Sequence, residues 1–198
     1  MSDVLTRTLA WLGVTPSAGQ LSRLAAFRRW LVDEAIPGGG VGPGEASRLD
    51  ARHVADSLLF AGVWEPSSSS PVVDVGTGVG LPGIPLAIIA PDRSFVLVDR
   101  SARRADLVRR AVRILGLDNV EVRRADIVGY DWRSTTVVSR AALAPARLLG
   151  LAQTQGAPEE MLVADSHHTP RRVPGFDSVE IPAEILDRAV WILRMVRS

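Results

Sequence analysis

Residues 72–87 read Val72-Val73-Asp74-Val75-Gly76-Thr77-Gly78-Val79-Gly80-Leu81-Pro82-Gly83-Ile84-Pro85-Leu86-Ala87. An apolar run enters through Val72, Val73 and Val75, four glycines follow within eight residues, and Ile84 to Ala87 resume the apolar character. That order predicts a buried strand, a glycine turn and the start of a helix. Glycine admits positive φ and lets the backbone approach a ligand that a side chain would hold off. N–H groups at the helix start lack intrahelical partners and face whatever occupies the turn. Asp74, at the strand end, suits an ammonium or hydroxyl group better than a pyrophosphate, so the expected ligand is a nucleoside with a positive centre. Gly78-x-Gly80-x-x-Gly83 also satisfies the dinucleotide fingerprint, a weak signal by itself. A P-loop is excluded because it requires a lysine and the chain has none.

Downstream of this turn, strand and helix patterns alternate. Pro85 suits a first helical turn, and Pro91 ends the helix. The pattern predicts a strand over 95–98 closing on Asp99, then a helix over 101–115 stopped by Gly116. A third strand over 120–122 leads to Ala125 and Asp126, and a fourth over 136–138 leads to Ser139, Arg140 and Ala141. A helix over 144–155 and strands over 161–164, 178–181 and 189–196 complete the series. Such alternation calls for a mainly parallel sheet with helices on both faces, and ligands then sit beyond the carboxyl ends of the strands.

Upstream, residues 3–13 and 17–35 read as helices, the second with Leu21, Leu24, Ala25, Leu31 and Val32 at helical spacing. Residues 37–45, PGGGVGPGE, carry five glycines and two prolines, a composition in which no regular element is expected. Helix resumes over 48–63, where Arg52 and Asp56 stand at i, i+4, as an ion pair would require, and His53 and Ser57 do the same. Ser67 to Ser70 form a polar loop. The organisation expected is a helical cap over 1–63 and a ligand-binding core over 64–198.

Composition narrows the chemistry. The 198 residues suffice for one domain with a substantial core, and no apolar run reaches the length of a membrane span. The first residues lack the basic start and apolar core of a signal peptide, so a cytoplasmic protein is expected; a monomer is expected as well. Without cysteine there are no disulfides, thiolate zinc sites or cysteine nucleophiles. His167 and His168 beside Asp165 read as solvated loop residues, and no metal is expected. Net charge is only +1, yet residues 100–140 hold ten arginines against five acids. A basic region in a near-neutral chain is what a nucleic-acid face looks like.

Three acids stand at the ends of the first three predicted strands: Asp74, Asp99 and Asp126. Asp99, 23 residues beyond Gly76, is placed to accept from two ribose hydroxyls. Asp126 is placed either to accept from an adenine amino group or to serve as an ordinary turn residue. The set suits S-adenosylmethionine better than a nicotinamide dinucleotide.

The segments ARHVADSLLF, VVDVGTGVGLPGIPLA, LVDRSARRADLVR and VVSRA, in this order, resemble the glucose-inhibited division protein B family, the bacterial small-subunit rRNA guanine-N7 methyltransferases. The resemblance implies a class I methyltransferase (Rossmann-like) α/β fold, with a seven-stranded, mainly parallel sheet and a small helical N-terminal cap. It implies S-adenosylmethionine held by Asp74, Gly76, Thr77, Gly78, Gly80, Leu81, Asp99, Arg100, Ala125, Asp126 and Arg140. It also implies an RNA-facing role for His53, Arg140 and Arg188, with ribosomal RNA or the small ribosomal subunit as partner. Two stretches depart from the family pattern. The Gly/Pro loop stands where Trp-Asn and Asn-Leu-Thr motifs are usual, and Asp165-Ser166-His167-His168 stands where Lys-Gly is usual.

The residue types agree by exclusion. Pyrimidine C5 methylation generally needs a cysteine and ribose 2′-O methylation usually a lysine, both absent. Exocyclic amine methylation typically carries an Asn/Asp-Pro-Pro-aromatic loop after the fourth strand, where this chain has Ser139-Arg140-Ala141-Ala142. Guanine N7 is already a lone-pair nucleophile and needs no general base, only positioning and exclusion of water. Transfer to another RNA or a small molecule, and cofactor binding without turnover on the ribosome, stand beside this reading.

Overall fold

A computed structural model describes residues 2–66, 68–140, 142–165 and 172–197. Ser67, Ala141, His167 and His168 lie outside them. All seven predicted strands form: β1 (Val72–Val75), β2 (Phe95–Asp99), β3 (Val120–Arg124), β4 (Thr136–Ser139), β5 (Glu160–Asp165), β6 (Asp177–Ile181) and β7 (Val190–Val196). They make one sheet in the order β3-β2-β1-β4-β5-β7-β6. The first five run parallel, and β7 lies antiparallel between β5 and β6. β1 and β4 are neighbours, with β2 and β3 built outward on one side and β5 on the other. The chain therefore reverses its winding at the carboxyl end of β1, which opens a crevice there.

β1 is buried on both faces, and its alternation divides the interior. Val72 joins Phe95, Leu97 and Val138 in the larger core, while Val73 and Val75 join Val98, Val137 and Met161 in the smaller one. Helices α1 (Asp3–Trp11), α2 (Ala18–Trp30), α4 (Gly83–Ile89) and α5 (Ala102–Leu115) contribute to the larger core. The smaller core takes Leu148 and Ala152 of α6 (Pro145–Gln155). Ser17 and Gln20 close a capping box at the start of α2. Ser101 caps α5, and Gly116, at φ +59°, ends it as its sequence position predicted.

The upstream segment differs from expectation in three respects. The buried stripe of the second helix is Leu24, Phe27, Trp30, Leu31 and Ala35, whereas Ala25 and Val32 face solvent. The stripe rotated because two aromatics offer more burial than a short alanine, and the last five residues, Leu31–Ala35, widen into a π turn. Within the Gly/Pro stretch a 3-10 helix, Pro43–Arg48, does form. Pro43 supplies its preset φ at the first position, and the amide of Glu45 donates to the Gly42 carbonyl at 3.0 Å. The helix over 48–63 is composite: a π segment Asp50–Ala55, the single turn α3 (Asp56–Leu58), then a tight turn Leu59–Gly62. A short helix that the pattern did not predict, α7 (Ala183–Leu186), precedes β7.

Candidate active site

Beyond the carboxyl ends of β1, β2 and β3 lies a cleft of about 360 Å³ whose walls include Gly76, Asp99, Arg100, Ala125 and Asp126. Gly76, Gly78 and Gly80 all have positive φ, at +72°, +63° and +86°, so the turn after β1 has the backbone that its glycines predicted. At Gly76 a Cβ would also meet that of Ala142 at 2.5 Å, so a side chain there would fill the gap between the two loops that bound the cleft.

Asp99 is nearly sealed from solvent, at 3% exposure, yet it lines the cleft. Its Oδ1 accepts from the amide of Ser101 at 2.8 Å and its Oδ2 from the amide of Gly78 at 3.1 Å. Two main-chain donors thus fix the carboxylate in place, and each oxygen keeps a lone pair for a ligand hydroxyl. Arg104 approaches Oδ2 at 3.8 Å. Asp126 is exposed, and its Oδ1 accepts from the amide of Val128 at 3.0 Å, an Asx turn that leaves its second oxygen on the cleft wall.

Asp74 has a different situation. It is fully buried, and its Oδ2 accepts from the Thr77 hydroxyl at 2.7 Å and from the amide of Gly83 at 2.8 Å. The carboxylate ties the two ends of the glycine turn together. Its Oδ1 is buried without a hydrogen-bond partner. Burial pushes its pKa up to about 6, against the Thr77 and Gly83 bonds and the nearby Arg140, which all pull it down. Thr77, Gly80 and Leu81 are likewise buried behind the cleft wall. The residues present fit a nucleoside: a glycine cradle that a Cβ would fill and a carboxylate braced for hydroxyls.

Beside the cleft, His53, Arg140 and Arg188 converge on Asp56 although they lie far apart in sequence. Arg140 donates to Asp56 Oδ2 at 3.4 Å and to the Arg52 carbonyl at 3.1 Å, and Arg188 donates to Asp56 Oδ1 at 2.5 Å. A guanidinium nitrogen of Arg140 stands 3.3 Å from His53 Nδ1. Arginine can only donate, so Nδ1 is the acceptor and the ring proton sits on Nε2, which donates to Glu45 at 3.2 Å. Burial first, and then the Arg140 charge, hold the His53 pKa below its ordinary value, against the pull of Glu45 and Asp56. The expected Arg52–Asp56 pair is replaced: Arg52 pairs with Glu45 at 3.5 Å, because the two distant arginines occupy both oxygens of Asp56. Ser57 uses its hydroxyl on the His53 carbonyl rather than on the ring.

Several residues at the site had no sequence signal strong enough to find them. Glu45 sat in a stretch read as irregular, and Asp56 had a nearer apparent partner. Leu143 and Arg147 of the cleft wall were missed as well, although their place just after the fourth strand is the signal that could have found them. Among the described residues no group of three or more His, Cys, Asp or Glu could hold a metal, and no helix is long and apolar enough to cross a membrane.

Comparison with known proteins adds an independent observation. Residues 21–164 match the family model described as rRNA small subunit methyltransferase G. A Clavibacter sepedonicus protein named ribosomal RNA small subunit methyltransferase G is 43% identical over 115 residues, 57% of this chain and 53% of that protein. A Nocardioides protein of the same name is 36% identical over 150 residues, 75% of this chain and 59% of that one. The chain thus spans only somewhat more than half the length of these relatives. Among solved structures, a SAM-dependent methyltransferase from Aquifex aeolicus superimposes with a TM-score of 0.55 at 15% identity, covering 87% of this chain and 98% of that one, a likeness of fold.

Proposed function

The chain belongs to the rRNA small subunit methyltransferase G (GidB) family, and from that premise we propose that it transfers a methyl group from S-adenosylmethionine to N7 of a guanine in small-subunit ribosomal RNA. When bound, S-adenosylmethionine supplies an electrophilic methyl on a sulfonium centre. Asp99 would accept the ribose hydroxyls, Asp126 the adenine amino group, and the Gly76–Gly80 backbone would close around the nucleoside, with Arg100 and Ala125 on the wall. Asp74, sealed behind the cleft, would serve the cofactor indirectly by fixing the glycine turn through Thr77 and Gly83.

For the acceptor the chain needs no general base, because N7 carries its own lone pair. Arg140, positioned by Asp56 and the Arg52 carbonyl, and His53, held as the Nε2 tautomer by Glu45, would orient the RNA at the mouth of the cleft. Arg188 would add positive charge toward phosphate at its rim. The partner on this reading is the small ribosomal subunit, met in the cytoplasm by a single copy of the chain.

The observation that carries the reading is the braced Asp99 carboxylate on the cleft wall. A charge-assisted bond is worth about 1.5–3 kcal/mol, so Asp99→Ala should weaken S-adenosylmethionine binding roughly ten- to hundredfold by calorimetry. The unaltered protein, given isotopically labelled S-adenosylmethionine and small subunits lacking N7 methylation, should place the label on a guanine N7, mapped by nucleoside mass spectrometry. Tight cofactor binding with no transfer would make the protein a binder; transfer elsewhere on the RNA would move the acceptor.

A further inference from the structure

A second cavity, of about 330 Å³, adjoins the cleft and shares Arg100 and Arg104 with it. Its other walls are the backbone of Gly38–Gly40, the side chain of Arg103, Ser101 and Leu107. Three arginines therefore line it, and no acid does. Among the described residues Arg100 and Arg103 form no ion pair, and Arg104 reaches Asp99 only at 3.8 Å. Of the other arginines in the basic segment, Arg109, Arg110, Arg123, Arg133 and Arg140 pair with Asp106, Glu34, Glu121, Asp131 and Asp56, whereas Arg113 and Arg124 form no ion pair among the described residues. The free positive charge of 100–140 thus includes this cavity.

The facing wall is built to stay open. The amide of Gly40 donates to the Ala35 carbonyl at 2.8 Å, which folds the glycine strap back at the end of the second helix. A Cβ on Gly40 would stand 2.2 Å from Val79 Cγ1, so the strap is seated directly on the glycine turn that borders the cleft. Gly39 has φ +69°, and a Cβ there would lie 3.6 Å from the Arg103 guanidinium. That is ordinary van der Waals contact, so what calls for glycine here is the positive φ of the strap. The Ser101 hydroxyl accepts from the Arg104 amide, which leaves its own hydrogen to donate outward.

We propose that this cavity binds one phosphodiester group of the RNA substrate, held by the Arg103 and Arg100 guanidinium groups and the Ser101 hydroxyl. Planar guanidinium donors match phosphate oxygens in pairs, and a glycine wall admits the backbone of a nucleic acid where a side chain would not. The assignment rests on the RNA-methyltransferase reading, and it anchors the RNA on the side of the cleft away from Arg140 and Arg188.

The test is binding of a fluorescein-labelled small-subunit rRNA fragment over a range of salt concentrations, with S-adenosylhomocysteine binding measured alongside. Arg103→Gln should weaken RNA binding roughly five- to tenfold and lower the salt slope by about 0.7–0.9, the signature of one lost phosphate contact. Arg103→Lys, which keeps the charge, should retain the slope. Arg133→Gln makes the same change in net charge just before β4, at the opposite end of the sheet, and should leave the slope unaltered. S-adenosylhomocysteine affinity should be the same in all four proteins. A wild-type protein that binds the RNA with an Arg103→Gln variant of unchanged slope would overturn the cavity's role and leave the reading intact. A wild-type protein that binds S-adenosylhomocysteine but no RNA would overturn both.

Discussion

Asp74 and Asp99 are the same residue type at the ends of adjacent strands, yet their surroundings give them opposite work. Asp99 meets two amides and a cleft, whereas Asp74 meets only the inside of the turn. The Asp74 pKa rises from 3.8 to about 6 because burial outweighs its hydrogen bonds. A carboxyl whose folded pKa is raised favours the folded state fully below its unfolded pKa, and that contribution is lost as pH rises through the folded value. Between pH 3.8 and about 6 the loss amounts to about 3 kcal/mol. Asp74→Asn keeps an oxygen for Gly83 and Thr77 and removes the titration. In ligand-free protein, chemical denaturation should show the Asn variant gaining stability relative to wild type as pH rises through this window and then holding level. A difference that ignores pH there would mean that Asp74 does not titrate as its burial dictates.

At the scale of elements, α4 is brought against the sheet by Gly83. A Cβ on this residue would lie 2.1 Å from Leu97 Cδ2 and 2.8 Å from Asp74 Oδ2. Its backbone φ is ordinary, so the requirement is space rather than conformation, and neither neighbour is free to yield: Leu97 is fully buried, and Asp74 is held by two bonds. Overpacking of this kind costs about 1–3 kcal/mol. Gly83→Ala should lower stability by that amount in urea and weaken S-adenosylmethionine binding in the same protein, since the displaced helix carries the turn with it. Gly116→Ala, where a Cβ meets nothing within 4 Å, should lose stability through its positive φ alone and leave ligand affinity unchanged.

At the scale of the molecule, Asp56 is the point where three distant segments meet. It comes from the helical segment ahead of the sheet, Arg140 from the end of β4, and Arg188 from the turn before β7. Removing the carboxylate leaves two guanidinium groups facing one another beside His53. A fully buried pair broken in this way costs about 3–5 kcal/mol, and the exposure of Arg188 reduces that to about 1–3. Asp56→Ala should therefore be destabilised by this smaller amount at low ionic strength and by less in 1 M salt, where the repulsion is screened. A loss independent of salt would assign Asp56 a packing role only.

The strand, glycine turn and helix over 72–87 were legible in the sequence because their causes are local: side-chain period, positive φ at glycine, and apolar runs bounded by proline. The same holds for Gly116 as a helix stop and for Asp99 at a strand end, a position that strand length alone sets. Local signals also mislead where partners compete. Arg52 and Asp56 have helical spacing, but Arg140 and Arg188 arrive from 84 and 132 residues away and take both carboxylate oxygens. Only the tertiary structure decided that Asp74 is sealed behind the cleft while Asp99 opens onto it, that Glu45 leaves an irregular stretch to hold His53, and that a glycine strap faces three arginines. Each of these depends on which segments the sheet order brings together, and contact between residues far apart in the chain leaves no period in the sequence from which to read it.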